Sequence, residues 1–210
     1  MLKASYDRIA GGSVERLAAL SDGIFAVAMT LLALEIRLPA TEVMHGEREL
    51  LQALAHIAPQ ILIYLMSFVT LGIFWVGQQS QLNHLERSDI RLTWLHLGFL
   101  FAVTLMPFST KLLAEFVSYR TALLGYWLNI FVFGLLLYVS WRYSTRAKLV
   151  REDIPAEVPV AIYRRIVVAQ AFYAFGAVLC VFSTYWSIAV IVLVQLRYAV
   201  WPWFQRKSSA

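Results

Sequence analysis

Six stretches of this chain are apolar over lengths near the ~20 residues that a helix needs to cross ~30 Å of hydrocarbon. With their flanking turns they predict helices over about 17–36, 57–78, 92–115, 120–142, 162–183 and 186–204 of one transmembrane domain, 1–210. Lipid offers backbone N–H and C=O groups no partner, so spans of this kind close their hydrogen bonds inside each segment, as helices. The expected class is therefore all-α, a polytopic membrane protein with six transmembrane helices. Composition agrees: 60% of residues are apolar, against about 45–50% for soluble domains.

The breaks between runs are informative. TEVMHGERELLQALAH is polar, with Gly46 as a breaker and a short amphipathic turn after it. Pro59 then falls in the first turn of the second run, where a missing N–H does little harm. Pro107 and the Ser109–Thr110 pair interrupt the third run and predict a kink or break near its outer end. The basic connector RYSTRAKLVREDIPAEVPVAIYRR follows the fourth run, bounded by Pro155 and Pro159. Ser183–Thr184–Tyr185 leaves the last two runs so little separation that they form a tight antiparallel hairpin.

Charge sets the orientation. With both termini cytoplasmic, inner segments hold fourteen of the 18 lysines and arginines, and outer segments only Arg37, Arg48, Lys111 and Arg120. That is the positive-inside pattern. It also explains a net charge of +5 without nucleic acid, which needs basic residues gathered on one soluble face. Trp75, Trp94, Trp127, Trp141, Trp186, Trp201 and Trp203 stand toward run ends, where interfacial aromatic belts form. The one cysteine, Cys180, closes no intrachain disulfide and meets no zinc or redox spacing.

The first run, RLAALSDGIFAVAMTLLALEIRL, is the unusual one. It opens on Arg16, Ser21 and Asp22, carries Thr30 in mid-span and ends on Glu35 and Arg37. An ionisable residue within a span is costly and points to function or to a partner on another helix. On a helix, Val27, Leu31 and Leu34 form one apolar stripe with Thr30 beside it. Gly23, Ala26 and Ala33 form a small-residue face that admits close approach. Arg16 and Asp22 lie roughly 9 Å apart along the axis, too far for an i,i+4 pair. The residues leave two roles open for this cluster: tying the cytoplasmic helix ends together, or taking part in transport.

Arg16-x-x-x-Leu20-Ser21-Asp22-Gly23 running into IFAVAMTLLALEI resembles the first-helix signature of the transmembrane protein 175 family of potassium channels, whose hallmark is Arg-x-x-x-Phe-Ser-Asp. Trp75 ending the second run and LMPFSTKLLAE closing the third agree with it, and the six-run layout matches one family repeat over nearly the whole chain. Two departures stand out. Leu20 replaces the hallmark phenylalanine, and Gly77–Gln78–Gln79 follows Trp75 where the family often has histidine, so a histidine-based network with the first helix is not expected here. The resemblance implies a potassium-selective cation channel, homotetrameric, with four first helices around the pore and no carbonyl filter; no TVGYG-like segment exists here. Carried over, the constriction is Val27, Leu31 and Leu34, with Thr30 adding hydroxyls and K+ passing near Thr30 and Leu31. A ring of Glu35 at the outer mouth, partly offset by Arg37, would gather cations.

No cofactor or resident metal is expected: the histidines form no zinc spacing, and no Ser–His–Asp layout or phosphate loop is present. An enzyme is thus not expected. Lys111 is read as snorkelling, Asp89 with Arg91 as a solvated or structural pair, and the cluster Arg142, Arg146, Lys148 and Arg151 as a contact for anionic inner-leaflet lipid. The expected location is a bacterial plasma membrane, as an integral membrane protein. The competing readings are a secondary transporter or proton-coupled carrier using Asp22, and a non-conducting membrane scaffold.

Overall fold

A computed structural model describes residues 13–36 and 46–205. Lys3, Arg8, Arg37, His45, Arg206 and Lys207, and the side chains of Trp201 and Trp203, lie outside the described part. Among the described residues the chain is helical: α1 (Val14–Leu34), α2 (Glu47–Leu82), α3 (Ile90–Thr104), α4 (Met106–Glu115), α5 (Arg120–Arg146), α6 (Glu157–Val178) and α7 (Thr184–Gln205). With α3 and α4 forming one broken span, these are the six expected helices. Five are long and apolar enough to cross a membrane by length and composition, and the apolar part of α7 is shorter, Thr184–Tyr198.

Local chemistry explains the ends. Ser13 caps α1, its hydroxyl accepting from Arg16 N at 3.2 Å, and Glu15 in the first turn complements the helix dipole. Asp89 caps α3 by accepting from Leu92 N at 2.8 Å. Its other carboxylate oxygen accepts a short hydrogen bond from Tyr143 of α5, so this residue tethers two helices rather than pairing with Arg91.

Two features of α2 differ from the sequence expectation. It is 36 residues long and begins at Glu47, directly after the Gly46 cap, so the amphipathic turn is continuous with the span and Pro59 lies inside the helix. The length is about 54 Å, well beyond the hydrocarbon core. The added segment is rich in Glu, Leu, Gln and Ala, which favour helix whether or not they are apolar; a hydropathy criterion passes over it. The Pro107 break is where it was expected. Proline supplies no N–H, and Leu105 closes α3 with a bond from its N–H to Ala102 O at 3.1 Å before α4 begins at Met106.

The core is aromatic at mid-height. Phe25 meets Phe99 (6.0 Å between centroids), Phe99 meets Phe133 (5.9 Å) and Phe133 meets Phe74 (4.9 Å), linking α1, α3, α5 and α2. Offset and tilted rings at this spacing are favourable. A polar seam lies above it: Thr110 donates to Ser67 (2.8 Å), Ser67 to Tyr126 (3.3 Å), Tyr126 pairs with Thr70 (3.2 Å), and Gln195 donates to Thr70 (2.6 Å). Lipid tails are as apolar as leucine, so such hydrogen bonds and close packing, not water exclusion, fix how spans meet. At the other end, a bridge between Leu85 and Val150 joins the α2–α3 and α5–α6 connectors, over a small cluster with Trp141 and Leu149.

Candidate functional site

α1 has two opposed faces. Leu17, Ser21, Phe25, Ala28 and Leu32 recur every three to four residues and are buried against α2, α3 and α4. The predicted stripe points the other way: Val27 is 57% exposed, Leu31 42% and Leu34 77%, with Leu20 at 43% continuing it. Thr30 lies exposed within that stripe, its hydroxyl donating to Val27 O at 2.8 Å. The donated proton leaves the oxygen lone pairs free on the exposed side. Gly23, Ala26 and Ala33 are exposed too, and a Cβ added at Gly23 would meet nothing within 4 Å. The small-residue face is therefore unpacked within one copy of the chain. Together with Thr104 of α3, the residues Leu20, Gly23, Val27 and Leu31 border a shallow apolar groove.

The buried face is anchored by polar bonds in mid-bundle. Ser21 Oγ lies 3.0 Å from Leu17 O, 2.8 Å from His96 Nε2 and 2.6 Å from Gln78 Nε2. Gln78 Nε2 also lies 3.0 Å from His96 Nε2. At the next residue, Asp22 Oδ1 accepts from Trp75 Nε1 and from Gln79 Nε2, both at 2.7 Å. These bonds are charge-assisted, the stronger kind. They bind α1 to α2 directly.

The cluster expected from sequence thus divides. Ser21, Asp22 and Trp75 come together as a clamp. Arg16 is exposed on the same side as the apolar stripe and makes no ion pair among the described residues. The histidine judged missing is present: His96 reaches Ser21 from α3 instead of from the segment after Trp75. The sequence gives no local sign of this, since 75 residues separate His96 from Ser21. Gln79 was likewise unassigned.

At the opposite end of α1, Glu35 pairs with Lys111 of α4 at 2.8 Å, and its carbonyl accepts from Tyr64 of α2 at 3.1 Å. Lys111 therefore does more than snorkel: it compensates the Glu35 charge inside the same copy, a role the sequence assigned to Arg37. The basic cluster is exposed at Arg142, Arg146, Lys148 and Arg151, with Arg151 held by Asp153 at 3.0 Å. Among the described residues no group of three His, Cys, Asp or Glu is placed to hold a metal ion.

Comparison with known proteins bears on this arrangement. The profile of the family described as endosomal/lysosomal potassium channel TMEM175 matches residues 16–107, the part that contains α1, the clamp and the α3–α4 break. A potassium channel of Streptomyces collinus is 33% identical over 148 residues, covering 67% of this chain and 70% of that one. A potassium channel of Chamaesiphon minutus is 26% identical over 189 residues, 88% of this chain and 93% of its own. The crystal structure of a lysosomal potassium-selective channel TMEM175 homolog from Chamaesiphon minutus superposes with a TM-score of 0.76 at 26% identity, covering 89% of this chain and 96% of that chain. An endosomal/lysosomal proton channel TMEM175 of Danio rerio is 25% identical over 191 residues, which is 90% of this chain but 35% of that protein.

Proposed function

The chain belongs to the TMEM175 family of potassium channels, and on that footing we propose that it is a potassium-selective cation channel working as a homotetramer, with α1 of each copy lining the pore. The family is one of ion channels, not enzymes, and the apolar helices make the chain an integral membrane protein. Both termini are assigned to the cytoplasm and the membrane to a bacterial cell, in keeping with the charge bias and with relatives from Streptomyces and Chamaesiphon.

The single observation that carries the pore assignment is the division of α1. One face is clamped to α2 and α3, while Val27, Leu31 and Leu34 are left exposed beside unpacked small residues. A helix turned to lipid needs no clamp of this kind. A helix whose leucines must meet those of other copies at a fixed radius does. Four such stripes make an apolar constriction that narrows the water column, gates by dewetting and makes ions shed water. Thr30 hydroxyls, with lone pairs outward, replace part of the lost hydration, and K+ passes near Thr30 and Leu31. Glu35 contributes little field at the mouth because Lys111 offsets it.

The carrier reading requires an Asp22 free to exchange protons with a pathway. Here its Oδ1 is occupied by two donors at 2.7 Å, which favours the clamp. The exposed cations from Arg142 to Arg151 suit anionic lipid at the inner leaflet.

Cysteine substitution tests the pore assignment. The chain has one native cysteine, Cys180, and it is buried, so a charged thiol reagent reports on the introduced site. Leu31→Cys is expected to lose potassium current on modification, with Val27→Cys and Leu34→Cys behaving alike. Modified protein with unchanged current at all three positions would move the pore elsewhere.

A further inference from the structure

A second cavity, remote from the α1 stripe, lies between α2, α5, α6 and α7. It is a narrow, partly enclosed cleft that opens to the protein surface. Its walls are apolar, built from Ile73, Phe74 and Gly77 of α2, Leu137 of α5, and Ile166 and Ala169 of α6. Gln170 and Tyr173 also line it, three residues apart and so on one face of α6.

Those two residues carry an unmet demand. Tyr173 is fully buried with Gln195 beside it, and its hydroxyl completes no hydrogen bond. Gln170 Oε1 is buried and without one as well. The Gln170 amide cannot readily turn round to find another. Its Nε2 donates to Ile130 O at 3.3 Å, and it rests so closely on α5 that a Cβ at Gly134 would lie 2.0 Å from that nitrogen. The nitrogen is therefore fixed toward α5, and the oxygen remains the free end. Leaving a buried donor or acceptor unpaired costs about 1–3 kcal/mol, and this cavity wall holds one acceptor and one hydroxyl.

We propose that this cavity binds a neutral amphiphile bearing one hydroxyl group, such as a medium-chain alkanol, entering from the bilayer. A hydroxyl both donates and accepts, so one group gives its proton to Gln170 Oε1 and takes the proton of Tyr173. The alkyl chain lies along the apolar walls, which extend along α6 from Tyr173 to Ile162, about 16 Å. An anionic head finds no buried countercharge there, since the one charged lining residue, Arg165, is exposed at the other end.

The test uses the full chain in nanodiscs with a decanol carrying a tail diazirine, photolabelled and mapped by peptide mass spectrometry. Labelling of α2 and α6 peptides is expected to saturate, to be competed by decanol and not by decanoate, and to fall at least fivefold in Ala169→Trp, which fills the cavity. Should that variant fail to fold, Gly77→Leu serves the same purpose, because a Cβ there meets only Leu137 at 3.8 Å. Gln170→Leu and Tyr173→Phe are each expected to weaken decanol competition about five- to tenfold, the change that one lost hydrogen bond produces. Competition by decane should stay unchanged in both, which a merely structural effect would not achieve. Labelling that never saturates, or is equal in the blocked variants, would overturn the proposal. So would stronger competition by decanoate that disappears in Arg165→Met.

Discussion

Replacing Asp22 by asparagine separates a clamp from a titrating carrier site. Asp22 Oδ1 accepts two hydrogen bonds at 2.7 Å, from Trp75 and Gln79. Bonds to a charged group contribute about 1.5–3 kcal/mol when buried; the exposure of Asp22 screens them, and we take about 1 kcal/mol each. Asparagine keeps an oxygen in the same place, so D22N loses the charge and retains the geometry, a cost of about 1 kcal/mol. D22A loses both bonds, about 2 kcal/mol. For a chain of this length 1 kcal/mol shifts Tm by about 2–4 °C, giving expected losses of about 2–4 °C for D22N and 4–8 °C for D22A in detergent melts. In a cycle of D22A with Trp75→Phe, the pair should couple by about 1 kcal/mol. Flux is the decisive readout: D22N should conduct potassium at a large fraction of the wild-type rate. A D22N protein that melts as expected yet carries no potassium would refute the clamp and restore a titrating aspartate.

Other consequences are measurable in the same preparations. Leu31→Ser should leave stability within about 1 kcal/mol of wild type, since the side chain is 42% exposed in one copy, while changing conductance or selectivity in bilayer recordings. Thr30→Ala removes an exposed hydroxyl bonded only to Val27 O and should lower the K+ over Na+ preference measured by reversal potential, with little effect on melting. Lys111→Met breaks a partly exposed pair with Glu35, so less than about 1 kcal/mol should be lost; single-channel conductance then rises if an uncompensated Glu35 gathers cations. Gly134→Ala forces Gln170 off Ile130 O and should cost about 0.5–1.5 kcal/mol, whereas the same substitution in a Gln170→Ala background should cost almost nothing in melts.

Periodicity and hydropathy carried the helical class and the Pro107 break, because each is written in contiguous residues. Motif resemblance singled out Ser21, Asp22 and Trp75 without saying what each of them bonds to. What escaped was joined across the bundle. His96 and Lys111 reach α1 from helices 75 or more residues away, and the Tyr126–Thr70–Gln195 seam unites three spans whose polar residues look incidental one by one. The added start of α2 escaped for a different reason: its residues favour helix through backbone propensity, to which an apolar-length criterion is blind. Nor did the sequence distinguish which face of α1 is anchored; the buried side was settled by where Ser21 and Phe25 find His96 and Phe99.

The central claim is potassium-selective conduction through the α1 stripe. Purified protein in liposomes, loaded with potassium and diluted into potassium-free buffer, should collapse the resulting gradient at a rate set by K+ permeability. Liposomes loaded with sodium and diluted into sodium-free buffer should lose their gradient markedly more slowly. Potassium flux exceeding sodium flux, and altered by Leu31→Ser, is the result this account predicts. Folded, assembled protein that passes neither ion, or passes both equally before and after that substitution, would contradict it.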